Sequence, residues 1–321
     1  MAKLNDAQIT AKCVEISKCL VNVSSGLIDY DLGNSRTVGD AARIAASIRL
    51  AGELNSETFA ALSTALKINY RVASSEILSI FEELDWVDVK RRGKKITKIV
   101  EKIPPAEDIL SQLGKLWRER DPTLIDEASI YGLYELSKRP FEKNALLSEL
   151  GISDEKFQTF YEYGEQAHYL GKFKSIELEK EIIWTPLYWA GKIDTVLRYL
   201  QKQSEEKFLE LESLTKQLIR YPGMPEEKLP KNPLIDAGIY HGYFPSLRIT
   251  DRQRTEHEYV FAATPQFEID PNKDLYEKAR MIVSCIRHGQ HHAEVSKILY
   301  PRSVLNAMRN NIMKPHPYAD I

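Results

Sequence analysis

RVASSEILSIFEELDWVDVKRRGKKITKIVEKIP, residues Arg71 to Pro104, changes its hydrophobic period part-way along. Ile77, Ile80, Phe81 and Leu84 recur at helical spacing, and two short β-type runs follow without a linker, Trp86–Val89 and Ile96–Val100. Between them lies Arg91-Arg92-Gly93-Lys94, a turn sequence dense in positive charge. The order predicted is helix, strand, basic turn, strand.

Two helical patterns precede it. Gly39–Leu54 has Ala42, Ile44, Ala45, Ile48 and Leu50, a small-residue helix suited to close packing. Asn55 or Ser56 can cap the next, with Phe59, Leu62 and Leu66 on one face, and Ser74 can cap the third. Further upstream, Leu4–Leu20 reads as a helix, and Gly33-Asn34-Ser35 as an ordinary turn, since no P-loop lysine accompanies it.

Three helices and a hairpin resemble a winged helix-turn-helix unit, carried here by Glu57–Pro104. Leu124–Pro186 resembles it more weakly: LLSELGISDEKFQTF has a bend glycine and a cap at Ser153, and KFKSIELEKEIIWTP follows as a hairpin-like run. Leu275–Ile321 resembles it in part. The fold class expected is mainly α with small β-hairpins (α+β), tandem winged helix-turn-helix domains joined by helical linkers. The domains expected are residues 1–104, 105–190, a helical and Pro-rich linker over 191–235, and 236–321 as a β-hairpin plus a partial third unit. The near-heptad series Ile193 to Leu218 permits a dimerising coiled coil or packing between domains. The third unit is expected to be truncated at Ile321, where its wing should begin.

With 321 residues, two or three cores are expected. Cys13, Cys19 and Cys285 have neither metal spacing nor an even disulfide framework, which fits a cytoplasmic setting. The formal net charge of −2 hides an uneven distribution. Lys+Arg against Asp+Glu stands at 15 to 13 in residues 1–103, 18 to 23 in 104–235 and 11 to 10 in 236–321. A protein that coats nucleic acid along its whole length is basic throughout, so any such contact here is local.

The resemblance implies DNA binding first and protein–protein scaffolding second. In such folds the third helix enters the major groove and the wing touches backbone or minor groove. Here the third helix carries Glu76, Glu82, Glu83 and Asp85, whereas the wing carries Lys90, Arg91, Arg92, Lys94, Lys95 and Lys98 with no acid between them. Phosphate contact through the wing, a solvated hairpin tip and docking on an acidic protein surface all remain open. Base reading is expected from the C-terminal segment instead, where Arg302, Asn306, Arg309 and Asn310 fall in an acid-free stretch. The second unit's aromatics (Phe157, Phe160, Tyr161, Tyr163, Tyr169) read as core.

Catalytic motifs are lacking: no nucleophile elbow, Walker A loop, dinucleotide fingerprint or kinase signature occurs. His288 and His292 have metal-compatible spacing, but Gly289 between them favours a bend and no third ligand is identifiable, so a turn between helices is the expected reading. The leading expectation is therefore a non-enzymatic, cofactor-free protein that binds double-stranded DNA in a regulatory or genome-associated role, defence included. The alternatives are an assembly module with a protein partner or homodimer, and a metal-dependent enzyme using His288 and His292. No membrane association is expected.

Overall fold

The computed structural model describes residues 4–23, 25–93, 95–174, 181–189, 205–231, 233–265, 273–293 and 297–309. They divide between two units, Met1–Pro186 and Leu187–Ile321. The described residues are mainly helical and form three small antiparallel sheets.

In the first unit Asn5 starts α1 (Asp6–Cys19) with a reciprocal capping box: its side chain accepts from Gln8 N at 2.8 Å while Gln8 Oε1 accepts from Asn5 N at 2.9 Å. This helix buries Ile9, Cys13 and Ile16. After α2 (Gly26–Asp31) comes α3 (Gly33–Ile48), where Gly33-Asn34-Ser35, expected as an ordinary turn, is the first turn of a helix. Gly39 of α3 marks the crossing with α1: a Cβ there would lie 2.2 Å from the carbonyl oxygen of Cys13. The small-residue pattern thus serves close helix packing.

Strand β1 (Glu53–Leu54) leads to α4 (Ser56–Ala65), capped by Asn55 on Thr58 N at 2.8 Å. The third helix starts earlier than the sequence suggests. Asn69, not Ser74, caps it, and it runs through α5 (Tyr70–Val72), a π-helical turn (Ala73–Ile77) and α6 (Leu78–Glu83). Ser74 instead donates back to the Arg71 carbonyl, as Ser and Thr hydroxyls do inside helices. The hairpin is β2 (Val87–Arg92) and β3 (Lys95–Glu101). Its strands therefore extend into the segment that the sequence assigns to a turn, and Gly93 at φ +62° opens the reversal.

α7 (Ala106–Glu119) also packs on α1, with Gly114 so close that a Cβ would fall 2.0 Å from the Asp6 carbonyl oxygen. Then follow α8 (Leu124–Leu136), β4 (Phe141–Glu142), α9 (Lys143–Leu150), α10 (Asp154–Gln166), β5 (Gly171–Lys174) and β6 (Glu181–Trp184). Ser153 caps α10 as expected, and Phe157, Phe160, Tyr161 and Tyr169 are buried. One polar knot lies in this core. Trp117 Nε1 donates to Ser35 Oγ at 3.0 Å, and Asp126, fully buried in the first turn of α8, has no hydrogen-bond partner for either carboxylate oxygen. Burial pushes its pKa up to about 7, offset in part by Ser35.

The second unit contains α11 (Glu205–Arg220), β7 (Met224–Pro225), a 3₁₀ turn (Glu226–Lys228), α12 (Pro233–Tyr240), β8 (Ser246–Thr250), β9 (Glu256–Val260), α13 (Lys273–His291) and α14 (Pro301–Arg309). Leu211, Leu214 and Leu218, part of the near-heptad series, are buried.

All three sheets have one plan. A two-residue strand pairs with the last strand of a hairpin, and that strand pairs with the first: β1-β3-β2, β4-β6-β5 and β7-β9-β8. In each case a helix precedes the short strand and helical segments fill the space before the hairpin. The third occurrence spans α11 to β9, N-terminal to the Leu275–Ile321 segment in which the sequence suggests it.

Candidate nucleic-acid interface and histidine cluster

The first hairpin joins two hydrophobic strand faces to a charged end. Val87, Ile96 and Ile99 are buried under the sheet. Ile96 and Ile99 are three residues apart, which strict alternation would place on opposite faces. A register slip reconciles them: Lys90 pairs with Lys98 and Arg91 with Ile96, leaving Thr97 unopposed, its Oγ donating to the Lys90 carbonyl at 3.0 Å.

The same register sets like charges face to face. Lys90 lies opposite Lys98 and Arg92 opposite Lys95. Such pairs destabilise a hairpin by roughly 0.2–1 kcal/mol each unless counter-charge is supplied. Part of it is internal. Arg91 donates to both carboxylate oxygens of Glu82, at 2.6 Å each, and Lys98 pairs with Glu53. Lys90, Arg92 and Lys95 are exposed and take part in no ion pair among the described residues. Lys94 lies outside the described residues. Of the five described candidates, three are thus cations without an internal counter-charge.

The other two hairpins differ in this respect. In the second, Lys174 is opposite Glu181, and Lys172 pairs with Glu181 at 3.1 Å. In the third, Arg248 is opposite Glu258 and reaches it at 3.1 Å. Both set opposite charges across their paired strands, although the third also exposes Arg252 and Arg254 at its turn. The acidic character of the third helix in the first sheet's unit is also visible: Glu76 and Glu83 are exposed, and Glu82 is committed to Arg91.

Of the C-terminal candidates, Arg302 and Asn306 are exposed one turn apart on α14, Arg309 is its last residue, and Asn310 lies outside the described residues. They belong to the second unit, whereas the basic hairpin belongs to the first.

The second unit gathers four of the chain's seven histidines. α13 continues unbroken through Gly289, contrary to the bend expected there; a Cβ at this position would lie 2.7 Å from Ile298 Cδ1, so the glycine leaves room for that side chain. His292 follows the helix end, its N–H bonded to the His288 carbonyl at 2.8 Å. Its ring lies 3.9 Å, centroid to centroid, from that of His257 on β9, and its Nε2 lies 3.2 Å from Glu227 Oε1 on the 3₁₀ turn. One ligand atom from each of Glu227, His257 and His292 falls within 4.8 Å of the others. His288 stays outside this set, its Nδ1 held by the Tyr259 hydroxyl at 3.0 Å. His257 Nε2 faces Asp251 Oδ2 at 3.2 Å, and His291 Nδ1 contacts Lys228 Nζ at 2.7 Å. Burial lowers the pKa of His292, with the neighbouring His257 acting in the same direction and Glu227 opposing. Glu227 and His257 escape a sequence reading because they are distant from His292 and unpatterned; only the strand pairing of β7 with β9 joins them.

Compared with protein-family models, with curated proteins and with solved structures, the chain matches none. Among the described residues, no helix is long and apolar enough to cross a membrane.

Proposed function

We propose that this is a non-enzymatic, duplex-DNA-binding protein built from three winged-helix units, which contacts the phosphate backbone through the first unit's wing. The shared element order and sheet order support the winged-helix reading: helix, short strand, two helical segments, hairpin, with the short strand beside the last. Fold alone does not specify function, so the site must carry it.

The carrying observation is the contrast between hairpins. Two place opposite charges across their strands, while the first places Lys90 against Lys98 and Arg92 against Lys95. That arrangement costs stability in the free protein and is relieved by an external polyanion. Phosphates fit it, since Lys and Arg bind them by charge with little demand on register. Glu76 and Glu83 on the helical face beside the wing repel a groove floor, so this contact does not depend on sequence. Base reading, if assigned to Arg302 and Asn306, is a separate contribution from α14.

The test is anisotropy titration of several unrelated labelled duplexes with the full chain. Comparable affinities across duplexes are expected, with a uniform loss for Lys90→Ala/Arg92→Ala/Lys95→Ala. Affinity unaltered by the triple substitution refutes the wing's role.

A further inference from the structure

The histidine cluster of the second unit stands apart from the DNA-binding reading and does not rest on it. We propose that Glu227, His257 and His292 bind one divalent transition-metal ion of the zinc class, which ties the end of α13 to the third sheet. Three separate elements, a 3₁₀ turn, a strand and a helix terminus, bring one ligand atom each within 4.8 Å of the others. Two imidazoles and a carboxylate are a ligand set suited to zinc, with metal–ligand distances of about 2.0–2.2 Å and a fourth position left to water. Drawing the three atoms to about 3.3 Å apart, the spacing tetrahedral coordination requires, is a short movement of side chains.

Protein partners leave the arrangement incomplete. His292 Nε2 is buried and has no hydrogen-bond partner, although Glu227 Oε1 is 3.2 Å away. No hydrogen bond links the closely spaced His257 and His292 rings among the described residues. A metal ion supplies what is missing, an acceptor of lone pairs from both.

The surroundings match what ligating histidines require. His257 has Asp251 Oδ2 at 3.2 Å from its Nε2, and Asp251 is itself fixed by the Thr255 N–H at 2.8 Å. A carboxylate on one ring nitrogen orients the ring and raises the basicity of the other, here Nδ1. Imidazole-rich sets favour zinc, nickel, copper or cobalt over magnesium or calcium. Glu227 also lines a cleft of about 580 Å³ whose other charged residues are Glu226, Asp236, Glu256 and Glu258 against Lys231 and Arg248.

The experiment uses the full chain without a histidine tag, stripped with chelator and titrated with Zn²⁺ against a chromophoric competitor. One high-affinity equivalent is expected, with Co²⁺ in its place giving visible absorption of a low-coordinate site. His257→Ala and His292→Ala are each expected to weaken binding at least 100-fold, and Glu227→Gln, a nearly isosteric change, to weaken it measurably. His288→Ala and His241→Ala should keep the equivalent. Circular dichroism of each variant identifies loss of fold, and Glu227→Gln retains the test if a histidine variant does not fold. Absence of a bound equivalent in the wild type overturns the proposal. So does affinity that is equal in all the variants, or lost as fully in His288→Ala as in His292→Ala.

Discussion

Replacing Asp126 by asparagine should remove a loss of stability that the wild type suffers as pH rises through neutrality. Asp126 is fully buried and its pKa is raised to about 7, against an unperturbed 3.8. Between those values the folded protein holds a proton that the unfolded chain has released. Stability then falls as pH rises, by about 1.4 kcal/mol per pH unit in the middle of the window. Below the unfolded value the penalty is absent; above the folded value it is complete. Between pH 5 and pH 8 the wild type should lose about 2–3 kcal/mol through this group alone. Asp126→Asn has no such loss, whatever its stability at pH 5. The assay is urea unfolding of both proteins at pH 5, 6, 7 and 8, followed by tryptophan fluorescence, which reports largely on the first unit because Trp86, Trp117 and Trp184 lie there. The stability difference between variant and wild type should grow by that amount across the series. A difference constant with pH would show that Asp126 is ionised in the folded state and refute the reasoning.

Helix crossings and the wing's internal ion pair give further expectations. Gly39→Ala gains up to about 1 kcal/mol of helix propensity, but its Cβ would stand 2.2 Å from a backbone oxygen of α1, so overpacking of about 1–3 kcal/mol or more should prevail. Thermal melting of Gly39→Ala, and of Gly114→Ala, checks this; an unchanged or higher Tm would contradict the close approach. Glu82→Gln frees Arg91 from its bidentate partner at the wing. The pair is about one-third exposed, so the stability loss should stay below about 1 kcal/mol, while DNA affinity should rise and become more salt-dependent. Weaker binding by Glu82→Gln would mean that Glu82 positions the wing instead of neutralising it.

The hairpin was legible because its charges and alternating apolar residues are contiguous, so composition and period spoke together. Its true extent was not, since the slip at Lys90/Arg91 breaks the alternation by which strand ends are found. The short strands β1, β4 and β7 are two residues each and carry no period at all. That is why the stretch around Met224–Pro225, rich in prolines, reads as a connector although it pairs with Val260 and Tyr259. Gly289 misled for a related reason. A glycine in a helix signals either a bend or a close neighbour, and only tertiary contact with Ile298 decides which. The pairing of His292 with His257 and Glu227, instead of with His288, likewise follows from sheet register and helix docking, which no local pattern encodes.

Salt dependence of duplex binding tests the central claim most directly. Each phosphate neutralised contributes about 0.9 to the slope of log affinity against log salt, so removing Lys90, Arg92 and Lys95 together should flatten that slope by about 2.7. Between 50 and 200 mM salt the wild type should therefore lose about 40-fold more affinity than the triple variant does. Parallel slopes, with or without a difference in affinity, would mean that the wing does not neutralise phosphates.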